Sequence, residues 1–217
     1  MKTATALQLN VLTLVNNFGY LTTREVGILA YPLHPAPAAI KAAQKVVARL
    51  RAEGLLLARE LPYDGLTNAY VLTRAAANML CDHHLSMAFS HGYDITMNDI
   101  HVRRPMIELL GSLVGSMGLE PVGSRGLARN YLELGHLKRY DALLVNANGE
   151  PVLGVANIHG YNAAAQKRIS DLASRQLPFV IATTNPMRLE RLVEARNKLS
   201  PTMAGELICT LPSGVFA

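Results

Sequence analysis

The chain has 217 residues, half of them hydrophobic and 17% charged, with a formal charge of +5 and two cysteines. That composition excludes long disorder and supplies apolar material for a core, with room for two small domains. Two distant cysteines exclude a disulfide framework, no segment reads as a secretory leader, and no apolar run reaches the ~18–20 residues of a membrane span, so a reduced, cytoplasmic protein is expected.

The charge is uneven. Residues 1–80 hold eight Lys/Arg against four Asp/Glu, whereas residues 81–217 hold thirteen against twelve. The basic surplus therefore sits in the first eighty residues, where it favours a phosphate-bearing partner.

In chain order, Leu7, Val11, Leu14, Val15 and Phe18 recur at helical spacing and Gly19 stops a first helix. Thr22 or Thr23 caps a short second helix whose Val26, Leu29 and Ala30 face inward, ending before Pro32. Pro35 and Pro37 lead into a third helix with Ile40, Ala43, Val47 and Leu50 as its buried stripe. Lys41, Gln44, Lys45 and Ala48 are left on the opposite face, and Gly54 ends the helix. Leu55–Leu61 and Leu66–Leu72 then read as two strands around Pro62-Tyr-Asp-Gly65, and Thr73 caps a further helix.

The exposed face of the third helix has major-groove chemistry. Lys and Gln reach base edges or phosphates, and Ala48 permits close approach. Arg49 and Arg51 flank it, Thr23 and Arg24 open the second helix, and Arg59, Tyr63, Thr67 and Asn68 lie at or near the hairpin tip. Together these are the candidate DNA-binding residues. The order of elements, with Arg49-Leu-Arg-Ala-Glu-Gly-Leu-Leu and Tyr70-Val-Leu-Thr, resembles the recognition helix and wing of a winged helix-turn-helix over residues 1–80. The resemblance implies double-stranded DNA as partner and a homodimer on paired half-sites.

Residues 81–104 read as a helical linker. Cys81, His84, His91 and His101 lie close in sequence, but zinc sites use two paired ligand sets and only Cys81 with His84 makes one, so no metal is assigned.

From Pro105 to residue 217 the pattern is helix, three strands, helix, strand, helix, strand. Leu127–Leu134 is a weak strand; Tyr140–Asn146 and Pro151–His159 form a hairpin; Asn162 caps a helix through Gln176; Phe179–Thr183 is a buried strand. Pro186 opens a helix through Leu199, and Leu207–Thr210 closes the set. This reads as a mixed α/β (α+β) sheet with helical cover. It is similar to the restriction-endonuclease-like core, in which two carboxylates hold magnesium against a scissile phosphate beside a lysine. Asp141 falls where the first carboxylate belongs, but Ala156-Asn-Ile-His159 supplies neither the second carboxylate nor the lysine. The expectation is an inactive nuclease-like domain without cofactor, with Lys167 and Arg168 as phosphate contacts or ordinary surface residues.

Most of the chain resembles the replication-relaxation and plasmid mobilisation group, on the same Arg49-Leu-Arg-Ala-Glu-Gly-Leu-Leu and Tyr70-Val-Leu-Thr stretches and on Arg139-Tyr-Asp141, where that group tends to show Arg-Pro-Asp. The resemblance implies a DNA-binding protein of a plasmid or mobile element, acting in replication, mobilisation or transcription regulation beside a plasmid-processing partner. Two alternatives stand with it. One is a magnesium-dependent nuclease or relaxase using Asp141 with Asn157, His159 or Glu150; the other is a protein-interaction adaptor whose basic helix meets an acidic surface.

Overall fold

A computed structural model describes residues 4–60, 68–83, 97–131, 134, 137, 139–158, 162–174, 177–183, 190, 191, 194 and 207–210. The elements run α1 (Ala6–Phe18), β1 (Leu21–Thr22), α2 (Thr23–Ala30), α3 (Ala36–Ala52), β2 (Leu56–Glu60), β3 (Asn68–Leu72), α4 (Arg74–Asp82) and α5 (Met97–Met117). They continue with β4 (Glu120–Gly123), α6 (Ser124–Asn130), β5 (Ala142–Val145), β6 (Pro151–Asn157), α7 (Ala163–Ala173), β7 (Phe179–Ala182) and β8 (Leu207–Thr210). The protein is mixed α/β and divides into two compact units: residues 1–100 with 122–135, and residues 101–121 with 136–217.

The first unit is built on local signals. Thr5 caps α1 and Thr22 caps α2, each in a reciprocal box with the side chain three residues on, Gln8 and Glu25. Pro sits near the start of α3, where a missing N–H costs nothing. At the other end of α3, Gly54 takes φ 71°, and the N–H groups of Gly54 and Leu55 donate to the carbonyls of Arg51 (3.0 Å) and Leu50 (2.8 Å). A side chain at that left-handed position would be strained, so Gly54 both ends the helix and turns the chain into β2.

Strands β2 and β3 pair antiparallel from Leu56 opposite Leu72 to Glu60 opposite Asn68, and β1 adds to the far side of β3, giving the order β1-β3-β2. Thr73 closes the unit: its hydroxyl donates to Gly54 O (2.8 Å) and accepts from the N–H of Ala76, capping α4. Val11, Leu12 and Val15 of α1, Val26 of α2, Leu50 of α3 and Val71 of β3 are each fully buried in its core.

In the second unit β5 and β6 are antiparallel and β6, β7 and β8 are parallel; the five-stranded sheet to which they belong has the order β4-β5-β6-β7-β8. Every residue of β5 and β7 is buried, the continuous apolar pattern of strands covered on both faces. The hairpin turn is tied by the Asn146 side chain, whose Oδ1 accepts from the N–H groups of Asn148 and Glu150.

Three expectations change. The segment expected as a strand from Leu127 begins as helix α6, with Leu127 buried and Tyr131 at its carboxyl cap; the strand lies earlier, at Glu120–Gly123. Pro121 has no N–H to give a ladder, and the sheet accommodates it because β4 is the edge strand. Helix α5 begins at Met97 and runs through Pro105 instead of starting there. Ile40 is only half-buried, and Ala39 and Val46 join Ala43, Val47 and Leu50 on the inward stripe of α3. The expected hairpin tip and most of the expected helix from Pro186 to Leu199 lie outside the described residues. Among the described residues no helix is long and apolar enough to cross a membrane.

Candidate functional site

Helix α3 is seated by contact with α2. A Cβ built on Gly27 would stand 3.2 Å from Ala39 C and O and from Ile40 N, so the two helices meet backbone to backbone at this point. The chain between them is short, and within it Tyr31 and His34 meet edge to face with ring centroids 5.7 Å apart. Burial raises the Tyr31 phenol above its ordinary pKa, so it stays neutral near neutrality.

The inward stripe turns the other face of α3 to solvent. Lys41, Gln44, Lys45, Ala48, Arg49 and Arg51 are all exposed. Arg49 Nε donates to Glu53 Oε1 at 3.0 Å one turn on, and Glu53 Oε2 accepts from Gln8 Nε2 at 2.8 Å. Arg49 is 57% exposed in that ion pair, which solvent screens and which is therefore worth a few tenths of a kcal/mol. Among the described residues Lys41, Lys45 and Arg51 enter no ion pair.

The other residues expected at this surface are less uniform. Arg24 is exposed in the first turn of α2, whereas the Thr23 hydroxyl donates to Tyr70 Oη at 3.3 Å and ties α2 to β3. Arg59 is exposed on β2, and Asn68 opens β3 opposite Glu60. Tyr63 and Thr67 lie outside the described residues.

In the second unit Asp141 stands just before β5. Its Oδ2 accepts from the Asn157 N–H at 2.6 Å and from Arg168 Nη2 at 2.8 Å, so the carboxylate already holds a cation from α7. The same Nη2 donates to Arg139 O at 2.8 Å, and Arg139 Nη1 pairs with Asp171 Oδ2 at 3.1 Å. The Asn157 amide nitrogen donates to Val102 O at 2.6 Å, and its Oδ1 is buried with no hydrogen-bond partner. One guanidinium thus fastens the start of β5 to α7, and Asn157 fastens the end of β6 to α5.

This bears directly on the candidate residues. Arg168 is committed to Asp141 rather than offered to a phosphate. Lys167 is exposed. Glu150 lies in the turn at the opposite end of the β5–β6 hairpin from Asp141, where it accepts from Asn146 Nδ2 at 2.8 Å, too far off to share a metal with Asp141. His159, His84 and His91 lie outside the described residues; Cys81 is exposed at the end of α4 and His101 belongs to α5. Among the described residues no three His, Cys, Asp or Glu side chains gather as they would around a metal ion.

No protein family, curated protein or solved structure matches this chain.

Residues unremarked in the sequence also cluster. Arg125 and Arg129, both on α6 and the second of them within the segment expected as a strand, lie against α1, with Arg129 Nη1 donating to Asn16 Oδ1 at 2.5 Å. Desolvation lowers both guanidinium pKa values, and for Arg125 the like charge of Arg129 lowers it further. Their i,i+4 spacing was the one available signal, since it means two cations on one face once the segment is helical.

The Arg168 contact has a measurable worth. Asp141 and Arg168 are 35% and 33% exposed, so solvent screens the pair and Arg168→Met should cost only about 1 kcal/mol. Urea unfolding of Asp141→Asn, Arg168→Met and the double variant gives the coupling; additive losses would show that the two groups do not interact.

Proposed function

We propose that the first unit is a winged helix-turn-helix that binds duplex DNA, and that the second is a restriction-endonuclease-like fold that serves assembly or partner contact without cleavage chemistry. The observation that carries the DNA reading is the outward face of α3. Lys41, Gln44 and Lys45 stand exposed on a helix held rigidly by α2, beside an antiparallel hairpin, in the order α1-β1-α2-α3-β2-β3. In that architecture the third helix enters the major groove, its long polar side chains meet base edges, and flanking arginines grip the backbone.

The Asp141 cluster supports the non-catalytic half of the reading. A hard divalent cation wants several charged or carbonyl oxygens. Here the carboxylate is neutralised by Arg168 and the neighbouring amide is turned to Val102. The likeness to replication-relaxation proteins extends the reading to a plasmid or mobile element, with control of replication, transfer or transcription as the process.

The test is selection of bound duplexes from a random library, followed by anisotropy titration with magnesium present. Changing Lys41, Gln44 and Lys45 together to Ala should weaken binding to the selected site roughly tenfold or more. Loss of two lysine contacts should also flatten the plot of log affinity against log salt by about 1.8. Undiminished affinity would overturn the DNA assignment, and magnesium-dependent nicking of supercoiled DNA would overturn the non-catalytic one.

A further inference from the structure

The approach to α3 is apolar and held in place. Residues Tyr31 to His34 make a tight turn closed by the His34 N–H, which donates to Tyr31 O at 3.0 Å, with Pro32 at the second position, where its fixed φ suits the bend. Leu33 stands at the tip of that turn and is 80% exposed, the most exposed large hydrophobic among the described residues. Pro35, Ala36, Pro37 and Ala38 follow, all exposed, and carry the apolar surface into the first turn of α3, which has no acidic residue and no side-chain cap.

Helical spacing puts this end of α3 on the face already described. Lys41 lies one turn beyond Pro37 and Ala38, and Gln44 and Lys45 lie one turn beyond Lys41, so the outward face passes from apolar to polar along the helix. A lone exposed leucine needs no explanation. This one is continuous with exposed prolines and alanines, and the turn and the prolines fix the set before any partner arrives.

A stable protein interface takes roughly twenty residues or more from each side, and five residues, mostly alanine and proline, fall well short of that. The floor of the major groove asks for less. Its one apolar group is the C5-methyl of thymine, which small apolar side chains meet once the backbone comes close. In helix-turn-helix docking it is the amino-terminal end of the recognition helix that reaches the base edges, and Lys41 and Lys45 supply the positive charge that complements the phosphates alongside.

We infer that Leu33, Pro37 and Ala38 read thymine methyl groups in the major groove, so that the target carries T·A pairs beneath the amino end of α3. The inference rests on the DNA-binding reading above and deepens it by naming a base. Unlike a lysine on a phosphate, a methyl contact carries sequence preference and no salt dependence.

The experiment replaces each thymine of one selected duplex in turn by deoxyuridine, which lacks only the methyl group, and measures the affinity of the full chain by anisotropy at several salt concentrations. At least one replacement should weaken binding about fourfold, the worth of one buried methyl group, with the slope of log affinity against log salt unchanged. Leu33→Ser/Ala38→Ser, at exposed positions, should bind the thymine duplex more weakly and no longer distinguish it from the deoxyuridine duplex. If that pair does not fold, Leu33→Ser alone, in the turn ahead of the helix, should shrink the methyl effect. Tight binding with no thymine whose methyl matters would overturn the inference and leave the DNA reading intact, and so would a methyl effect of undiminished size in the variants. Loss of self-association in the variants, seen by sedimentation, together with an undiminished methyl effect would make the patch a protein contact instead. Failure of the unmodified chain to bind any duplex would sink the DNA reading and this contact with it.

Discussion

Gly154→Ala should cost about 2–3 kcal/mol and lower the thermal midpoint by roughly 5–10 °C, although it adds a single methyl group. Gly154 lies in the middle of β6, paired with Leu143 of β5 and Phe179 of β7. A Cβ there would press into the Tyr140 ring, overlapping Cε1 and Cδ1 and standing 2.9 Å from Cζ. The ring cannot easily retreat: Tyr140 is 2% exposed, and its centroid is 6.5 Å from that of fully buried Phe179. Interiors are packed closely enough that the strain must pass to the sheet or to the residue beside Asp141. Calorimetry of Gly154→Ala and of Gly154→Ala/Tyr140→Leu separates these routes. The second change removes the atoms that collide and should recover part of the loss; equal stability of Gly154→Ala and the unmodified protein would show that the glycine is not there for the ring.

What could be read in advance follows from how local the physics is. The Thr22–Glu25 box, Gly54 after the last turn of α3, and Thr73 ahead of α4 each act within a few residues, so α2, α3, both hairpin strands and α4 were legible as sequence. So was the outward face of α3, because burial of Ala43, Val47 and Leu50 dictates which residues oppose them. Helix α6 was not. Leu127 through Leu134 offers leucines without a decisive period, and what decides its fate is the fit of Gly123 and Gly126 against Asn17 and Phe18, more than a hundred residues earlier. The start of α5 was missed because Pro105 is ordinarily a boundary and here is carried inside a helix. At the candidate site Asp141 could be singled out and the lack of a second carboxylate noted, yet its pairing with Arg168, 27 residues on, depends on how α7 returns over the sheet.

Gly27→Val should cost about 3 kcal/mol and, on the DNA-binding function proposed above, weaken duplex affinity at temperatures where the protein is still folded. In the interior of a helix glycine is about 1 kcal/mol worse than alanine, so α2 carries a local penalty at this position. The contact at the helix crossing accounts for it. The atoms 3.2 Å from a Cβ on Gly27 belong to the backbone of Ala39 and Ile40, which cannot rotate aside as a side chain would. Alanine brings a gain in helix propensity against a modest squeeze and should be nearly neutral. Valine adds two further methyl groups at a β-branched centre, and α3 must then tilt or slide. Lys41 follows directly after the residues that collide, and Gln44 and Lys45 lie one turn beyond, so a small displacement of α3 misaligns the face proposed for the major groove. Hydrogen exchange distinguishes this from general unfolding: amides of α2 and α3 should lose protection in Gly27→Val while those of Phe179–Ala182 in the second unit keep theirs. Retained protection in α2 and α3 together with unchanged affinity would show that the helix crossing does not set the position of the binding face.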